Sequence, residues 1–345
     1  MKKTVRLADI AEKLQVSTVT VSNALAGQKG VSDELRARIR HTAAEMGYQP
    51  REAGAGASGS KRILNVGIII SEKYLGDYPS YYWKIYQELS LKAVDYHCAI
   101  SFEVLLHENE AAKKLPLFAQ EQRMQGLMVL GEVGSEYLKF LHEESGLPLV
   151  FLDFVKREIP VPSVMANNYY GMYKMVNYLL DRGHTRIAYV GTILSSNSIT
   201  DRYYGYCKAL VERGIRVRPE WVLDDRTMEG QIGNIRLPDP MPTAFACNCD
   251  VTASVVINEL ERCGYRVPED ISVVGFDNYL YEGLCDVRVT SYEVDLREMV
   301  RQALKVFLAQ VERSRTVADM QLISGRIIEK DSVKAREGIR TQDRV

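Results

Sequence analysis

The chain has 345 residues, and its 44 Lys and Arg residues nearly balance its 45 Asp and Glu residues. This length predicts more than one domain, because single hydrophobic cores stop growing at about 250–300 residues. No run of about 18 apolar residues occurs and no apolar stretch follows Met1-Lys2-Lys3, so we expect a cytoplasmic protein without a membrane span or secretory signal.

The first 50 residues predict three short helices. Gln15-Val16 predict a turn after the first helix, and Ser17 is a suitable N-cap for a second helix that runs to about Ala26. Ser32 is a suitable N-cap for a third helix, which Gly47 ends. Apolar residues recur at helical spacing in the first helix (Leu7, Ile10, Ala11, Leu14) and in the third (Leu35, Ile39, Ala43, Met46).

A helix, a tight turn and a second helix form the helix-turn-helix unit, whose second helix enters the DNA major groove. Its hydroxyl and amide side chains can reach phosphates and base edges, and Val19 can contact a thymine methyl group. The candidate DNA contacts in this helix are Ser17, Thr18, Val19, Thr20, Ser22 and Asn23. The alternative is a generic helical hairpin, because the spacing of the helices alone fits both a helix-turn-helix unit and such a hairpin.

The charge distribution favours DNA binding. Residues 1–62 contain 11 Lys and Arg residues against 6 Asp and Glu residues, whereas the rest of the chain contains 33 against 39. A basic head on an acidic body suits a module that faces DNA phosphates. Between the head and the body, residues 51–62 begin with REAGAGASGS, which predicts a linker because Gly, Ala and Ser dominate it.

From Leu64 onwards, short apolar runs alternate with amphipathic stretches, which predicts parallel sheets with crossover helices. The predicted strands are 64–70, 100–106, 126–130 and 149–152, followed by a second series that begins near Val164 with strands 186–190, 244–247 and 272–276. The predicted helices are 81–94, 170–182, 201–213 and 252–263. The predicted fold class is therefore α/β, with two doubly wound parallel-sheet lobes after a small all-α N-terminal domain.

Ligands of open parallel sheets bind beyond the carboxyl ends of the strands, so two facing lobes predict a cleft. Carboxylates and an arginine there suit polyhydroxylated ligands, because each hydroxyl both donates and accepts hydrogen bonds. Asp250 and Asp277 could instead cap helices, and Arg202 could pair with Asp201 or a neighbouring carboxylate. The candidates at strand ends and at the start of the following helix are Ser71, Asp153, Asp250, Asp277 and Arg202.

Three aromatic residues, Tyr81-Tyr82-Trp83, open the first helix of the body at a loop that overhangs the predicted cleft. Tyr82 and Trp83 are candidates to stack on a sugar ring. Packing in the core or between lobes is the alternative, because Trp83 and Tyr86 lie three residues apart on one helix face.

Enzymatic function is disfavoured. The chain has no G-x-S-x-G motif, no Walker A pattern and no metal-binding spacing among its five histidines. Its six cysteines are scattered, which favours reduced thiols over disulfides or a metal site, and no cofactor is indicated. A free-standing sugar-binding transport protein would need export and has no use for a basic head. A ligand-controlled DNA-binding protein remains.

Motifs in residues 4–50 resemble the DNA-binding head of the lactose-repressor family of bacterial transcription regulators, and the later chain resembles that family's effector-binding core. The motifs are Leu7-Ala-Asp-Ile-Ala11, Val16-Ser17, Thr20-Val-Ser22, Val31-Ser32 and Gly47-Tyr48-x-Pro50. The resemblance implies a head at 1–50, a linker at 51–62 and a core at 63–345. It also implies type I periplasmic-binding-protein-like lobes, the first at about 63–163 and 292–323 and the second at about 164–291 and 324–345, with crossings near Val164, Ser291 and Ser324.

The same resemblance adds Lys29 and Tyr48 to the expected DNA contacts. In the family the linker becomes a hinge helix on DNA, and a leucine from it wedges into the minor groove. Ala57 occupies the corresponding position here. Each glycine within a helix costs about 1 kcal/mol, so this Gly-rich linker predicts a weakly formed hinge helix without the usual wedge.

In the core, the resemblance places Asp153, Arg202, Asp277 and residues 248–250 at effector-contacting positions, and it brings Trp221 and Arg226 within reach of the cleft. The family usually has Asn directly before the Asp250 position, but this chain has Asn248-Cys249 there, so either residue could face the ligand. The resemblance also implies a homodimer through the core lobes.

Two heads related by a two-fold axis read a palindromic operator, which agrees with a dimer. The tail after Val333 has no leucine heptads, so no coiled-coil tetramer is predicted. The main functional prediction is a repressor of a carbohydrate-utilisation operon that is released by a sugar bound between the lobes. The alternative is a corepressor-dependent regulator that binds a purine or another non-sugar ligand.

Overall fold

The structure is a computed structural model that describes residues 7–25, 31–46, 63–75, 80–121, 123–227, 230–281, 283–312 and 319–336. The chain divides into two compact units, at residues 1–61 and 62–345. The predicted linker at 51–62 and the predicted DNA contacts Lys29, Tyr48 and Ala57 lie outside the described residues. Within the described residues, no helix is both long enough and apolar enough to cross a bilayer.

The N-terminal unit contains three helices, as predicted: α1 (Leu7–Leu14), α2 (Thr18–Leu25) and α3 (Asp33–Glu45). Gln15 adopts a left-handed backbone conformation with φ of 52°, which makes the turn between α1 and α2. Ser32 caps α3 by accepting a hydrogen bond from the N–H of Leu35. The small core between the helices consists of Ile10, Ala11, Val21, Ala24, Ile39 and Ala43.

The larger unit contains twelve strands and eight α-helices among its described residues. The strands are β1 (Leu64–Ser71), β2 (Cys98–Leu105), β3 (Gly126–Leu130), β4 (Leu149–Leu152), β5 (Ser163–Ala166), β6 (Ile187–Val190), β7 (Val222–Leu223), β8 (Ala244–Cys247), β9 (Ser272–Phe276), β10 (Thr290–Val294), β11 (Met320–Ile323) and β12 (Gly325–Ile328). The helices are α4 (Tyr81–Ala93), α5 (His107–Ala111), α6 (Leu117–Gln120), α7 (Ser135–Ser145), α8 (Asn168–Asp181), α9 (Asn197–Glu212), α10 (Asp250–Arg262) and α11 (Leu296–Val311).

These strands form two sheets of six strands each, which confirms the predicted pair of doubly wound lobes. The first sheet has the order β11-β5-β4-β3-β1-β2, and the second has the order β12-β10-β9-β8-β6-β7. Neighbouring strands run parallel, except that β10 and β12 pair antiparallel. Because the strands are parallel, their carboxyl ends lie along one edge of each sheet, where ligands of such folds bind.

The crossings between lobes differ slightly from the predicted positions. Strand β5 pairs with β4 and β11, so the first crossing lies after Ala166 rather than near Val164. Strand β10 belongs to the second sheet through Val294, so the second crossing follows Val294 rather than Ser291. The third crossing lies at Ser324, between β11 and β12. Helix α11 packs on α4 and on β4 and β5 of the first lobe.

Two helices of the second lobe begin earlier than predicted. Helix α9 begins at Asn197 rather than Asp201, because Ser196 caps it by accepting a hydrogen bond from the N–H of Ile199 at 3.2 Å. Helix α8 likewise begins at Asn168 and is capped by Asn167, whose side chain accepts a hydrogen bond from the N–H of Tyr170.

Candidate functional site

Several candidate residues lie at the carboxyl ends of the central strands. Asp153 follows β4 of the first lobe, and Asp277 follows β9 of the second lobe. Both adopt left-handed backbone conformations, with φ of 68° and 94°. Non-glycine residues rarely occupy this region, and such strain concentrates at functional sites. The two aspartates therefore occupy positions that a merely structural turn would normally give to glycine or asparagine.

Arg202 is the centre of a buried polar cluster. Arg202 lies on α9, and its side chain is 5% exposed. Its Nε donates a hydrogen bond to Oδ1 of Asn168 at 2.9 Å, and its Nη1 donates one to the carbonyl oxygen of Asn248 at 2.6 Å. Its Nη2 donates a third hydrogen bond to Oδ1 of Asp277 at 3.2 Å. The guanidinium carbon lies 3.8 Å from the ring centroid of Phe276. Arg202 therefore pairs with Asp277 rather than with Asp201, which fits the alternative of a pair with a neighbouring carboxylate.

Asp153 faces this cluster from the other lobe. Burial raises the pKa of Asp153 to about 7, with Asp277 adding to the rise and Arg202 opposing it. Burial also raises the pKa of Asp277, although Arg202 donates a hydrogen bond to it. Two buried carboxyl groups from opposite lobes thus interact with one guanidinium, Asp277 by a direct hydrogen bond and Asp153 by the electrostatic attraction that opposes the rise of its pKa. Such a site favours a ligand that supplies hydrogen-bond donors.

Two polar atoms near this cluster have no hydrogen-bond partner among the described residues although they are buried: the hydroxyl of Tyr81 and Nδ2 of Asn168. The pKa of Tyr81 is raised well above its ordinary value, first by burial and then by Asp153 and Asp277. Its ring therefore lies near those carboxyl groups. Buried polar atoms are normally satisfied, so these two are available to a ligand.

Tyr82 also faces the cluster, since Asp153, Asp277 and Arg202 all affect its pKa, which burial raises well above its ordinary value. Its ring packs 4.4 Å from that of Tyr74. Sequence reasoning chose Tyr82 and missed Tyr81 and Asn168 as candidate ligand contacts. Tyr81 was detectable as the neighbour of Tyr82 at the start of α4, whereas nothing in the sequence marked Asn168.

Trp83 lies apart from the cluster. It is 37% exposed, and its ring centroid lies 5.1 Å from that of Tyr86 and 6.1 Å from that of Phe102. Successive helical residues point about 100° apart, so Trp83 turns away when Tyr82 faces the cleft. The packing alternative therefore describes Trp83 better than ligand stacking does. Ser71 is buried at the end of β1 and begins the short 3₁₀ turn that follows the strand.

The side chain of Asp250 hydrogen-bonds residues of its own lobe. Its Oδ1 accepts a hydrogen bond from Oγ of Ser291 at 2.6 Å, and its Oδ2 accepts one from the N–H of Tyr279 at 2.8 Å. Burial raises its pKa to about 7. It is the first residue of α10, but its side chain holds the segments after β9 rather than capping that helix. Both oxygens are engaged, so a direct contact with an effector is disfavoured.

Asn248 belongs to a second buried network. Its Nδ2 donates to Oδ2 of Asp225 at 2.7 Å, and its Oδ1 accepts a hydrogen bond from Nη2 of Arg226 at 3.2 Å. Although burial opposes ionisation, hydrogen bonds from Arg226 and Thr252 lower the pKa of Asp225 to about 2. Both ends of the Asn248 side-chain amide thus hydrogen-bond protein groups in the wall of the cleft. The half-buried Cys249 is the more accessible of the pair, with Sγ 3.6 Å from Nη2 of Arg226.

Trp221 does not reach the cleft. It is 3% exposed, packs in the core of the second lobe and donates a hydrogen bond from Nε1 to the carbonyl oxygen of Pro240 at 2.8 Å. The cleft candidates that the structure brings together are therefore Asp153, Arg202, Asp277 and Tyr82. Their contacts with a ligand stay a prediction.

The second candidate site is the exposed face of α2 in the N-terminal unit. Oγ of Ser17 accepts a hydrogen bond from the N–H of Thr20 at 3.0 Å and lies 2.8 Å from Oγ1 of Thr20, so these two hydroxyls fix the start of the helix. Val19 is 65% exposed, which is unusual for a β-branched apolar residue on a short helix. Thr18 and Ser22 are exposed and Asn23 is half-buried beside them. Their contacts with DNA also stay a prediction.

Comparison with known families gives two matches that agree with these two units. Residues 6–51 match the family described as bacterial regulatory proteins, lacI family, and residues 176–333 match the periplasmic binding protein-like domain. Together the two ranges cover more than half of the chain, in the order head and then core. The chain belongs to the LacI family. As a member of that family, it is a DNA-binding transcription regulator.

Curated relatives of the LacI-family chain match it over nearly its whole length. The HTH-type transcriptional repressor CytR of Escherichia coli (strain K12) is 28% identical over 337 residues, covering 95% of this chain and 96% of the relative. The HTH-type transcriptional repressor PurR of Pectobacterium carotovorum subsp. carotovorum (strain PC1) is 28% identical over 340 residues, with the same coverage. Both relatives are transcriptional repressors rather than enzymes.

Solved structures show the same LacI-family fold. The lac repressor dimer bound to operator and the anti-inducer ONPF is 24% identical, with a TM-score of 0.64 and coverage of 96% of this chain and 99% of that chain. A transcriptional regulator CelR–cellobiose complex is 19% identical, with a TM-score of 0.67 and coverage of 95% and 99%. These likenesses place the Arg202 cluster in a two-lobed fold that follows a helix-turn-helix head.

Proposed function

We propose that this LacI-family protein is a transcriptional repressor of a carbohydrate-utilisation operon, and that a small sugar bound between the lobes releases it from its operator. The observation that carries the proposal is the cluster of Asp153, Asp277 and Arg202, next to the unpartnered hydroxyl of Tyr81 and Nδ2 of Asn168. The cluster offers both acceptors and donors, and each sugar hydroxyl uses one of each.

In this proposal, residues 1–50 form the head, 51–62 the linker and 63–345 the core. The protein acts as a homodimer that places one α2 helix in each half of a palindromic operator. The effector controls DNA binding by linkage: it favours the lobe arrangement to which it binds more tightly, and operator affinity falls by the same free energy. Asp153 and Arg202 come from opposite lobes, so a ligand that binds both is sensitive to that arrangement.

A corepressor-dependent regulator that binds a purine is the second candidate. The 28% identity to a PurR repressor along nearly the whole chain favours it, and so do Tyr81 and Tyr82, whose rings suit stacking on a base. In this case the ligand strengthens operator binding. Carboxyl groups with raised pKa values can accept hydrogen bonds from a base as well as from a sugar.

Thermal unfolding with a ligand panel tests the effector class. Mono- and oligosaccharides, nucleobases and nucleosides are each added to the purified protein, and the midpoint of unfolding is measured. A ligand at 100 times its dissociation constant adds roughly 2.7 kcal/mol of stability, which is readily detected. We expect the response among the sugars, and a response confined to purines would replace the main proposal with the second candidate.

The direction of control is tested by titrating operator DNA with and without the ligand found in that screen. We expect the ligand to raise the dissociation constant for the operator. A lowered dissociation constant would instead establish corepression, because a ligand that stabilises the DNA-binding arrangement must also bind it more tightly.

Asn23→Ala is expected to weaken operator binding by about 10-fold or more, because a side chain that bonds a base edge contributes roughly 1–3 kcal/mol of discrimination. Asn23 lies one turn after Val19 on the same side of α2. Binding to random-sequence DNA at the same salt concentration serves as the internal control and should not change, and neither should the thermal unfolding of the core. Undiminished preference for the operator would refute a base-reading role for Asn23.

A further inference from the structure

The polar contacts that join the two lobes of the core lie mainly at the crossings. There the N–H of Asn167 donates a hydrogen bond to the carbonyl oxygen of Ile323, and the N–H of Asp295 donates one to the carbonyl oxygen of Ser324. The ion pairs between described residues of the core each lie within a single lobe. Side-chain contacts that do connect the lobes away from the crossings therefore have a strong influence on how the lobes are arranged.

One such contact is a hydrogen bond from Asn197 to Val155. Asn197 is the half-buried first residue of α9 in the second lobe, and its Nδ2 donates to the carbonyl oxygen of Val155 in the first lobe at 2.9 Å. Arg202 lies on the same helix as Asn197, and Asp153 lies two residues before Val155. The bond therefore ties together the two segments that bring Arg202 and Asp153 to the cleft.

Lys84 provides the second contact. It lies on α4 of the first lobe, and its Nζ is 5.7 Å from the ring centroid of Tyr279 in the second lobe. Its charge also acts on two carboxylates of the second lobe. Burial raises the pKa of Asp277, and Lys84 is one of the cations that oppose this rise. Burial likewise opposes ionisation of Glu293, but surrounding donors and cations, including Lys84, lower its pKa. Lys84 thus attracts the second lobe towards the first.

We propose that Asn197 and Lys84 are positioning residues of the allosteric switch, which hold the lobes in the arrangement described here and so set the equilibrium that a cleft ligand has to shift. Neither residue belongs to the cluster of Asp153, Arg202 and Asp277. A ligand that contacts both Asp153 and Arg202 favours the same arrangement, so the two residues assist its binding. This inference rests on the proposed function, because it requires that the lobe arrangement controls DNA binding.

Labelling of Cys249 with fluorescein maleimide measures the lobe arrangement without ligand or DNA, when the labelled peptides are quantified by mass spectrometry. The thiol of Cys249 is half-buried in the wall of the cleft, and burial raises its pKa. Separation of the lobes admits the bulky reagent and favours the reactive thiolate, so both effects speed the reaction.

In the full-length protein, we expect Asn197→Ala to speed the labelling of Cys249 by roughly 2- to 10-fold, the net effect of one hydrogen bond on an equilibrium. Asn197→Asp should act in the same direction, because it keeps the size of the side chain and suits a helix N-terminus but loses the donor. Lys84→Met should give a rise of about 2- to 5-fold, as expected for the loss of a cation–π contact.

Two matched controls remove similar groups that contact only their own lobe. Ser198→Ala changes the neighbour of Asn197, whose Oγ lies 3.0 Å from Oγ of Ser196. Lys92→Met removes a charge from α4, where Lys92 pairs with Asp95 at 2.7 Å. Both controls should label like the wild type, and the exposed Cys263 should react at one rate in every variant. Unchanged labelling of Cys249 in both Asn197 variants, or equally faster labelling in Ser198→Ala, would overturn the proposal.

Operator titration of ligand-free Asn197→Ala tests the link to DNA binding. Release by a sugar that favours the present lobe arrangement predicts tighter operator binding in this variant, by no more than the factor by which labelling rises. Weaker binding by a similar factor would support the same role for Asn197 in a corepressor-dependent switch. An unchanged operator dissociation constant together with faster labelling would overturn the role in the switch. Silence of the ligand screen would count against the proposed effector alone, since neither measurement uses a ligand.

Discussion

Replacing Arg202 with alanine is expected to lower the free energy of unfolding of the core by roughly 3–5 kcal/mol and to abolish the response to the effector. The side chain is 5% exposed and donates hydrogen bonds to Asn168, Asn248 and Asp277. Its removal leaves the carboxylate of Asp277 and two oxygen acceptors buried without their donor. Each unsatisfied buried group costs about 1–3 kcal/mol, and a charged group costs more.

The loss is measured by urea unfolding at neutral pH, with two further variants for comparison. Arg202→Lys keeps the charge but cannot reach three acceptors at once, so we expect an intermediate loss of stability. Arg213→Ala is the matched control at the other end of α9: its side chain is 45% exposed and pairs with Asp181. Exposed ion pairs contribute about 0–1 kcal/mol, so this control should change little. Similar stabilities for Arg202→Ala and Arg213→Ala would contradict the structural role of the cluster.

The effector response of Arg202→Ala is measured on the operator, at a temperature below the unfolding transition of the variant. We expect operator binding to persist, because α2, the helix that is predicted to contact DNA, belongs to a separate compact unit. The ligand identified in the screen should no longer change that binding. A normal ligand response in a folded Arg202→Ala protein would show that the effector binds elsewhere.

Most of the fold was predictable because its elements have simple patterns. The three helices of the head follow from apolar spacing and from the caps Ser17 and Ser32, and the central strands follow from short apolar runs such as that of β1. Strand β10 was missed because its sequence, Thr-Ser-Tyr-Glu-Val, mixes polar and apolar residues. Thr290 and Ser291 are nevertheless fully buried, since neighbouring polar groups satisfy their hydroxyls. Such pairings depend on distant parts of the chain.

The sequence could predict that the candidate site lies at the carboxyl ends of the strands, but not which residue at each strand end belongs to it. The rule that parallel strands present ligands at their carboxyl ends correctly indicated that Asp153 and Asp277 would meet near Arg202. It could not separate them from Asp250, which also follows a strand. The distinction depends on Ser291 and Tyr279, which engage both oxygens of Asp250 and come from segments about 30–40 residues away.

Asp153→Asn is expected to stabilise the folded core at alkaline pH but much less at acidic pH. In the folded protein burial raises the pKa of Asp153 to about 7, whereas the pKa of an exposed aspartate is 3.8. The folded state therefore holds a proton more tightly than the unfolded state, and stability falls as the pH rises from about 4 to 7. Asparagine has no proton to lose and can still accept the hydrogen bond from the N–H of Ala166.

The test is urea unfolding of both proteins at pH 5 and pH 8. Each unit of pKa shift corresponds to about 1.4 kcal/mol, so the stability of Asp153→Asn relative to the wild type should rise by roughly 2–3 kcal/mol between these pH values. Asp250 also has a pKa of about 7, but it is present in both proteins and its contribution cancels.

Asp270→Asn is the matched control, because Arg266 lowers the pKa of Asp270 to about 2 and this carboxylate is already ionised at pH 5. Its effect on stability should therefore be the same at pH 5 and pH 8. If Asp153→Asn behaved like this control, Asp153 would be ionised throughout, and the attraction of Arg202 would outweigh burial. The cleft would then carry two ionised carboxylates, which only accept hydrogen bonds, and its preference for donor-rich ligands would be stronger than with a protonated Asp153.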